Sequence, residues 1–236
     1  MTQRRLAEPV GTAPGSAADN VNRSSEEMAM PIEEFRQTLE ADAPEFGIAL
    51  KTDHIERLID YYELVMKWNE RLHLVARCSP QKFATRHVLE SLTLLKHLPV
   101  GARIIDIGSG AGLPVIPCLL IRDDLSATLI ESSSRKAVFL REALRAVTPL
   151  DRARVIVARF EDVETPQADF VTCRALDRFS EILPALIDWA PRNSTLLLFA
   201  GESIRNQLQT TLRSFAVERI PQSERRFLLV ARASCA

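Results

Sequence analysis

From Pro31 onward, apolar residues recur three to four positions apart. Ile55, Leu58, Ile59, Tyr62, Leu64, Val65 and Trp68 form one long stripe that predicts an amphipathic helix. A second stripe, Phe83, Val88, Leu92 and Leu95, predicts another helix over Pro80 to His97. Residues 1–30 are rich in Ala, Ser, Gly, Pro and Asn and show little apolar periodicity, which predicts a disordered tail. After Pro99 the rhythm changes to short apolar runs alternating with helical stretches. Strands are predicted at Arg103 to Ile107, Ala127 to Ile130, Arg154 to Ala158, Phe170 to Cys173, Thr195 to Phe199, Phe215 to Ile220 and Phe227 to Ala231. Helices fill Leu113 to Ile121, Arg135 to Val147, Phe179 to Trp189 and Ser203 to Leu212. Such alternation predicts parallel βαβ units in a doubly wound α/β sheet. The last two runs are joined through Pro221 and Gln222 with no helix between them, so they are expected to pair antiparallel. The chain thus divides into a tail (1–30), a helical subdomain (31–98) and an α/β domain (99–236).

Composition narrows the class. The four cysteines, Cys78, Cys118, Cys173 and Cys235, are far apart and make no Cys-x-x-Cys pair, which disfavours a zinc site or a disulfide framework and fits a reducing compartment. No histidine pair or acidic cluster has metal-ligand spacing, so no metal is assigned. The longest apolar run, Ala111 to Ile121, is too short for a membrane span and carries Pro114 and Pro117. Arg4 and Arg5 look like the start of an export signal, but no apolar stretch follows them. The expectation is a soluble cytoplasmic protein. The net charge of −1 conceals an uneven distribution: Ser24 to Glu63 holds eleven acidic and three basic residues, whereas Ser133 to Arg159 holds seven basic and two acidic. That asymmetry can present a positive face to a polyanion, or simply solvated basic helix faces.

The most specific local signal is Ile104-Ile105-Asp106-Ile107-Gly108-Ser109-Gly110-Ala111-Gly112-Leu113, an apolar strand running into three glycines at alternate positions. Glycine permits positive φ and close approach of a ligand to the backbone. The dinucleotide fingerprint needs its third glycine one position later, where this chain has Leu113. A pyrophosphate loop is therefore disfavoured, and the pattern looks like the first motif of S-adenosylmethionine (AdoMet) methyltransferases, with a plain strand-to-helix turn as the alternative.

In an open α/β sheet, ligands bind outside the carboxyl ends of the strands, where the strand order reverses. Candidate residues therefore follow each strand. Asp106 can orient the glycine loop or meet an ammonium group through water. Glu131 lies about twenty residues beyond the loop, at the place where an acid accepts ribose hydroxyls, and the serines after it cap the next helix. Phe160 can pack on an adenine ring, with Glu161 near the exocyclic amine, although Phe160 also suits the core. Arg174 is either a ligand for a carboxylate or RNA, or an ion-pair partner.

Taken together, several segments resemble the RsmG (GidB) family. They are Trp68-Asn69 with Leu72 and Leu74, Arg86-His87 with Glu90-Ser91, Asp106 to Pro114, and Cys173-Arg174-Ala175. The resemblance covers about residues 50–232. It implies a Rossmann-like class I AdoMet-dependent methyltransferase with a seven-stranded, mostly parallel sheet and an N-terminal helical extension. It also implies methylation at N7 of a guanine in the 530 loop of bacterial 16S ribosomal RNA. Cofactor contacts are expected at Asp106, Gly108, Gly110, Leu113, Glu131, Phe160, Glu161 and Arg174. Substrate RNA contacts are expected at Arg86, His87, Arg135, Lys136 and Arg226. The partner is 16S rRNA or the 30S subunit, with neither membrane nor DNA involved, and the protein is expected to act as a monomer. Four positions depart from the family pattern: His73-Leu74-Val75 stands where Asn-Leu-Thr is usual, Glu90 replaces an aspartate, and Ala200 the lysine that precedes Gly201.

Guanine N7 carries an in-plane lone pair at neutral pH, so its attack on a sulfonium methyl needs no general base. Positioning the reacting atoms in line at about 3 Å is the catalytic task, and the target base must first leave its stack. The lack of an acid/base pair in the sequence therefore does not exclude an enzyme. The rival readings are a nicotinamide-dependent oxidoreductase, against which Leu113 argues, and a non-catalytic RNA- or ribosome-binding module, for which Ala200 gives some motive.

Overall fold

The computed structural model describes residues 17–147, 152–174, 179–211 and 215–233. Seven strands form one sheet: β1 (Arg103–Ile107), β2 (Ser126–Ile130), β3 (Ala153–Ile156), β4 (Phe170–Arg174), β5 (Thr195–Ala200), β6 (Phe215–Arg219) and β7 (Phe227–Arg232). Their order is β3-β2-β1-β4-β5-β7-β6. β1 pairs parallel with β2 and β4, while β7 runs antiparallel to both β5 and β6. Each predicted strand is present within two residues of its expected ends. β1 is buried on both faces after Arg103, as a central parallel strand must be, which is why its sequence reads as an unbroken apolar run interrupted by Asp106.

Helices α1 (Ala17–Asp42), α2 (Thr52–Leu72), α3 (Pro80–Phe83) and α4 (Glu90–Leu92) precede the sheet. α5 (Val115–Ile121), α6 (Ser134–Val147), α7 (Phe179–Trp189) and α8 (Glu202–Thr211) cover its two faces. The stretch predicted as one helix over Pro80 to His97 is continuous but not uniform: a π-helical segment, Ala84–Leu89, separates α3 from α4, and a 3-10 turn, Thr93–His97, ends it. The wider π turn carries Arg86 and His87, consistent with the tendency of such turns to sit at functional places.

Two expectations need correction. α1 begins at Ala17 rather than near Pro31, so residues 17–30, read as part of a disordered tail, are helical. Their Ala, Met and Glu content supports a helix, and Pro31 lies inside it. Residues 1–16 lie outside the described part. The helix expected from Leu113 begins only at Val115, because the glycine loop continues in turns through Pro114.

The helical extension has no separate core. Phe35 of α1 stacks on Tyr62 of α2 at 4.5 Å, and Phe83 of α3 closes the group at 5.1 Å from Tyr62. These side chains belong to the same apolar cluster as Ile116 and Leu119 of α5, Phe139 and Leu140 of α6, and Ile104 and Leu129 of the sheet. A second cluster, with Leu183 and Leu186 of α7 and Leu208 of α8, fills the opposite face. Tyr61 and Leu58 are fully buried, so α2 is held by the burial of whole side chains, each worth roughly 1.5–3 kcal/mol. Among the described residues, no helix is long and apolar enough to cross a membrane.

Candidate functional site

The loop after β1 is shaped by its glycines. Gly108, Gly110 and Gly112 all have positive φ, at 67°, 53° and 82°. At Gly112 the requirement is also steric, since a Cβ would lie 2.3 Å from Ile116 Cδ1. Most of the backbone amides inside the loop are already engaged. Gly108 N–H donates to the Ile130 carbonyl (2.8 Å), Gly112 N–H to the Ser109 carbonyl (2.6 Å), and Gly110 N–H to Glu131 Oε2 (2.9 Å). Glu131 is held from its other oxygen too, by the amide of Ser133 at 2.8 Å. Ser133 in turn caps α6, accepting from Lys136 N–H.

Asp106 lies beneath the loop. It is fully buried, and neither carboxylate oxygen has a hydrogen-bond partner among the described residues. Ser109 Oγ donates instead to the Asp106 main-chain carbonyl (3.1 Å). Burial, reinforced by the Glu131 charge, pushes the Asp106 carboxyl well above the usual carboxylate range. From the other side, the Tyr61 hydroxyl of α2 donates to the Ala111 carbonyl at 2.7 Å, a buried latch between the helical extension and the loop. Burial raises the Tyr61 pKa and keeps this hydroxyl protonated.

A cleft of about 660 Å³ opens at the carboxyl ends of β1, β2 and β4, where the strand order reverses. Gly108, Gly110 and Leu113 form its floor, Glu131 one wall, Phe160 and Glu161 a second, and Arg174 and His87 a third. Every residue expected at the cofactor lines this cleft except Asp106, which lies below it. Phe160 answers both of its readings: it packs edge-on against Trp189 at 5.6 Å within the core and also presents a surface to the cleft.

Arg174, at the end of β4, is the centre of the third wall. Its side chain is only 11% exposed and faces Glu90 at 3.5 Å. It donates to Ser91 Oγ (3.1 Å), to the main-chain carbonyls of Arg86 and His87, and toward His87 Nδ1 (3.3 Å), and it lies over the Phe199 ring. A guanidinium only donates, so His87 Nδ1 must be the unprotonated nitrogen. Burial, with Arg174 and Arg86 nearby, pushes the His87 pKa down to about 3. Glu90 also pairs with Arg226, whose Nε donates to Ser223. One carboxylate, itself 4% exposed, therefore serves two arginines.

The residues expected at RNA do not form one cluster. His87 and Lys136 border the cleft, Arg86 and Arg226 border a second cavity, and Arg135 is exposed on α6 beside neither. His97, at the end of the 3-10 turn, pairs with Glu218 of β6 at 3.1 Å. Ala200 is buried at the end of β5 beside Phe227, over whose ring the Arg205 guanidinium lies at 5.3 Å. Tyr61 borders the site without belonging to any motif, and Glu90, part of a family motif, was not expected to join two arginines. Both had a signal: Tyr61 lies three after Leu58 and four before Val65 on the buried stripe, and Glu90 is a carboxylate set among Val88, Leu89 and Leu92.

The strand order, the antiparallel β7 and the glycine loop over a switch-point cleft define a class I AdoMet-dependent methyltransferase fold. A SAM-dependent methyltransferase from Aquifex aeolicus shares this fold at a TM-score of 0.52 and 15% identity, over 64% of this chain and 93% of that one. P. horikoshii TYW2 in complex with MeSAdo shares it at 0.51 and 16% identity, over 62% of each chain. The family is narrower than the fold. The model for GidB, rRNA small subunit methyltransferase G, matches residues 54–233, and the chain belongs to this family. A ribosomal RNA small subunit methyltransferase G of Halorhodospira halophila is 34% identical over 173 residues, covering 73% of this chain and 82% of that protein. The protein of the same name from Xanthomonas campestris pv. campestris is 41% identical over 136 residues, which is 57% of this chain and 63% of that protein's length, less than two thirds of it.

Proposed function

We propose that the chain transfers a methyl group from AdoMet to N7 of a guanine in the 530 loop of 16S rRNA. The observation that carries this reading is the loop after β1. Four of its amides, those of Gly108, Ser109, Gly110 and Gly112, are taken by protein acceptors, and two acidic side chains, Asp106 and Glu131, lie under and beside it. Such a loop has few N–H donors left for a pyrophosphate, which is bound by free backbone amides. It suits a ligand with a cationic amino-acid end and ribose hydroxyls. The nicotinamide reading is accordingly disfavoured.

The residues present fit AdoMet. The Asp106 carboxyl, buried and without a partner among the described residues, lies beneath the loop that would hold the ammonium end, with Gly108, Gly110 and Leu113 as its bed. Glu131 retains acceptor capacity for ribose hydroxyls after taking two amide hydrogen bonds, because a carboxylate has about four acceptor sites. Phe160 and Glu161 would face the adenine, and Arg174 the carboxylate or the target base. The cofactor supplies an electrophilic methyl group. The protein's part is to orient the guanine edge and exclude water, and His87, held neutral, adds a polar group there without a charge. On this reading residues 31–98 build the RNA side of the cleft and residues 99–236 the cofactor side, and the protein acts as a cytoplasmic monomer.

The test is incubation with methyl-labelled AdoMet and either naked 16S rRNA or 30S particles from a strain lacking this modification, followed by borohydride and aniline cleavage. Label and cleavage at one guanine of the 530 loop are expected. Absence of label on both substrates sinks the reading. RNA binding without stabilisation by AdoMet would favour the non-catalytic module instead.

A further inference from the structure

A second cavity, of about 330 Å³, lies between the π-helical segment and the turn joining β6 to β7. Lys82, Arg86 and Arg226 line it, with Asp42 as the carboxylate on its wall. It is separated from the cofactor cleft by the ion-paired row Arg174, Glu90, Arg226, because Arg174 lines the cleft and Arg226 lines the cavity.

The charges in this wall do not balance. Glu90 must neutralise two buried or half-buried guanidinium groups at once. Lys82 and Arg86 have no ion-pair partner among the described residues, and nearby Glu45 accepts a hydrogen bond from Gln222. The surplus is felt next door: Arg174, Arg86, Arg226 and Lys82 all act to lower the His87 pKa. Burial, joined by the neighbouring guanidinium groups, lowers the pKa of Arg174 and of Arg226, the direction expected of cations short of counter-charge. Arg174 and Arg226 are buried or half-buried and share one carboxylate, while Lys82 and Arg86 are exposed beside them, so an anion in the cavity relieves the surplus. A phosphate offers acceptors that match the guanidinium fork.

We propose that this cavity is a subsite for a phosphodiester of the RNA strand that carries the target base, held by Lys82, Arg86 and Arg226. The proposal rests on the rRNA reading above, and adds that the strand is gripped one compartment away from the base. A phosphate on Arg226 would return Glu90 to Arg174 alone, leaving a balanced pair in the wall of the cleft.

The experiment uses the full chain and a fluorescein-labelled RNA stem-loop with a guanine in its single-stranded loop. The binding constant is measured by anisotropy over a range of salt concentrations, for the wild type and for Lys82→Gln with Arg86→Gln. Both side chains are exposed, so the fold and the Arg174 contacts remain, which circular dichroism checks. Each single-strand phosphate contact adds about 0.7 to the salt slope, or about fivefold in affinity at 0.1 M salt. The double variant is therefore expected to bind roughly 25-fold more weakly at 0.1 M salt, with a slope lower by about 1.4. An unchanged slope and affinity, in a wild type that does bind this RNA, would overturn the subsite and leave the methyltransferase reading intact. A wild type that neither binds nor labels RNA would overturn both. A parallel thermal-shift series with inorganic phosphate distinguishes the source of the anion. Stabilisation of the wild type but not the variant, with RNA binding unaltered, would assign the cavity to a free anion and overturn the RNA proposal.

Discussion

The glycine loop and the Glu90 junction border the same cleft but are made in opposite ways. The loop is local: ten consecutive residues, Ile104 to Leu113, contain the strand, the acid and the glycines that shape it. The junction is assembled from three distant segments, with Glu90 before the sheet, Arg174 at the end of β4 and Arg226 entering β7. A local device is limited by backbone strain, whereas an assembled one is limited by the cost of burying charge. The two should therefore fail differently, and mutation can tell them apart.

The largest effect is expected at Glu90. Removing one partner of a buried ion pair typically costs about 3–5 kcal/mol, because the remaining charge keeps its burial penalty. Here two guanidinium groups lose their shared counter-ion. Glu90→Ala should lose about 4 kcal/mol in urea denaturation, within that range. Glu90→Asp, which keeps the charge on a shorter stem, should recover a substantial part. If Glu90→Ala is as stable as the wild type, the junction is a surface ion-pair network and the contrast collapses.

Next comes Gly112→Ala. The residue would have to keep φ at 82° and place a Cβ 2.3 Å from Ile116 Cδ1. Left-handed strain of roughly 1–2 kcal/mol and overpacking of roughly 1–3 kcal/mol together predict a loss of about 3 kcal/mol. The loss should be joined by a fall in AdoMet affinity, read by calorimetry. Pairing this change with Ile116→Ala should return part of the stability. No return would mean that strain at φ, and not the clash, dominates.

This contrast also explains what the chain's letters reveal. The strands, their alternation with helices and the antiparallel ending were legible because each rests on short-range periodicity. The glycine loop was legible because steric demands at Gly112 act within four residues. The shared role of Glu90 was not legible, since nothing within its helix reveals that Arg174 and Arg226 converge on it. The helix over residues 17–30 was missed for a related reason: Ala, Ser and Asn leave little apolar stripe to read. Arg135 and Lys136, adjacent in sequence, were both expected at RNA, and helical geometry places Lys136 at the cleft and Arg135 in solvent.

Acid should probe the junction and leave the loop's glycine geometry alone. The His87 pKa falls from 6.5 to about 3 on folding, so the unfolded chain binds a proton that the folded protein refuses. Stability from this group is thus present above pH 6.5 and declines as the pH drops toward 3. At pH 5 the loss is about 2 kcal/mol, taking 1.36 kcal/mol per unit. Asp106, whose carboxyl pKa is raised on folding, gains stability as the pH falls, so the His87 part is read as the difference between wild type and His87→Gln. In denaturation curves between pH 7 and pH 5 the variant should lose about 2 kcal/mol less than the wild type. An equal pH dependence in the variant would assign the acid sensitivity to other groups.

The smallest effect joins the two regions. Tyr61 reaches from α2 to the Ala111 carbonyl, so the local loop has one non-local support. Tyr61→Phe leaves that carbonyl buried without its donor, a cost of roughly 1–2 kcal/mol. Where the cost appears is the informative part. If the loop holds its shape through its own glycines and the Glu131 carboxylate, the loss should appear in global stability and AdoMet affinity should be unchanged. If the latch is needed to hold the empty loop in its binding shape, part of the cost falls on the cofactor, at about fivefold in affinity per kcal/mol. We expect the second outcome. Ala111 lies between two positive-φ glycines, the most deformable part of the backbone, and the Tyr61 hydroxyl is the contact that ties its carbonyl to a rigid helix. Denaturation and AdoMet titration of the same variant separate the two outcomes. Unchanged affinity would show that the loop is as self-contained in its energetics as in its sequence.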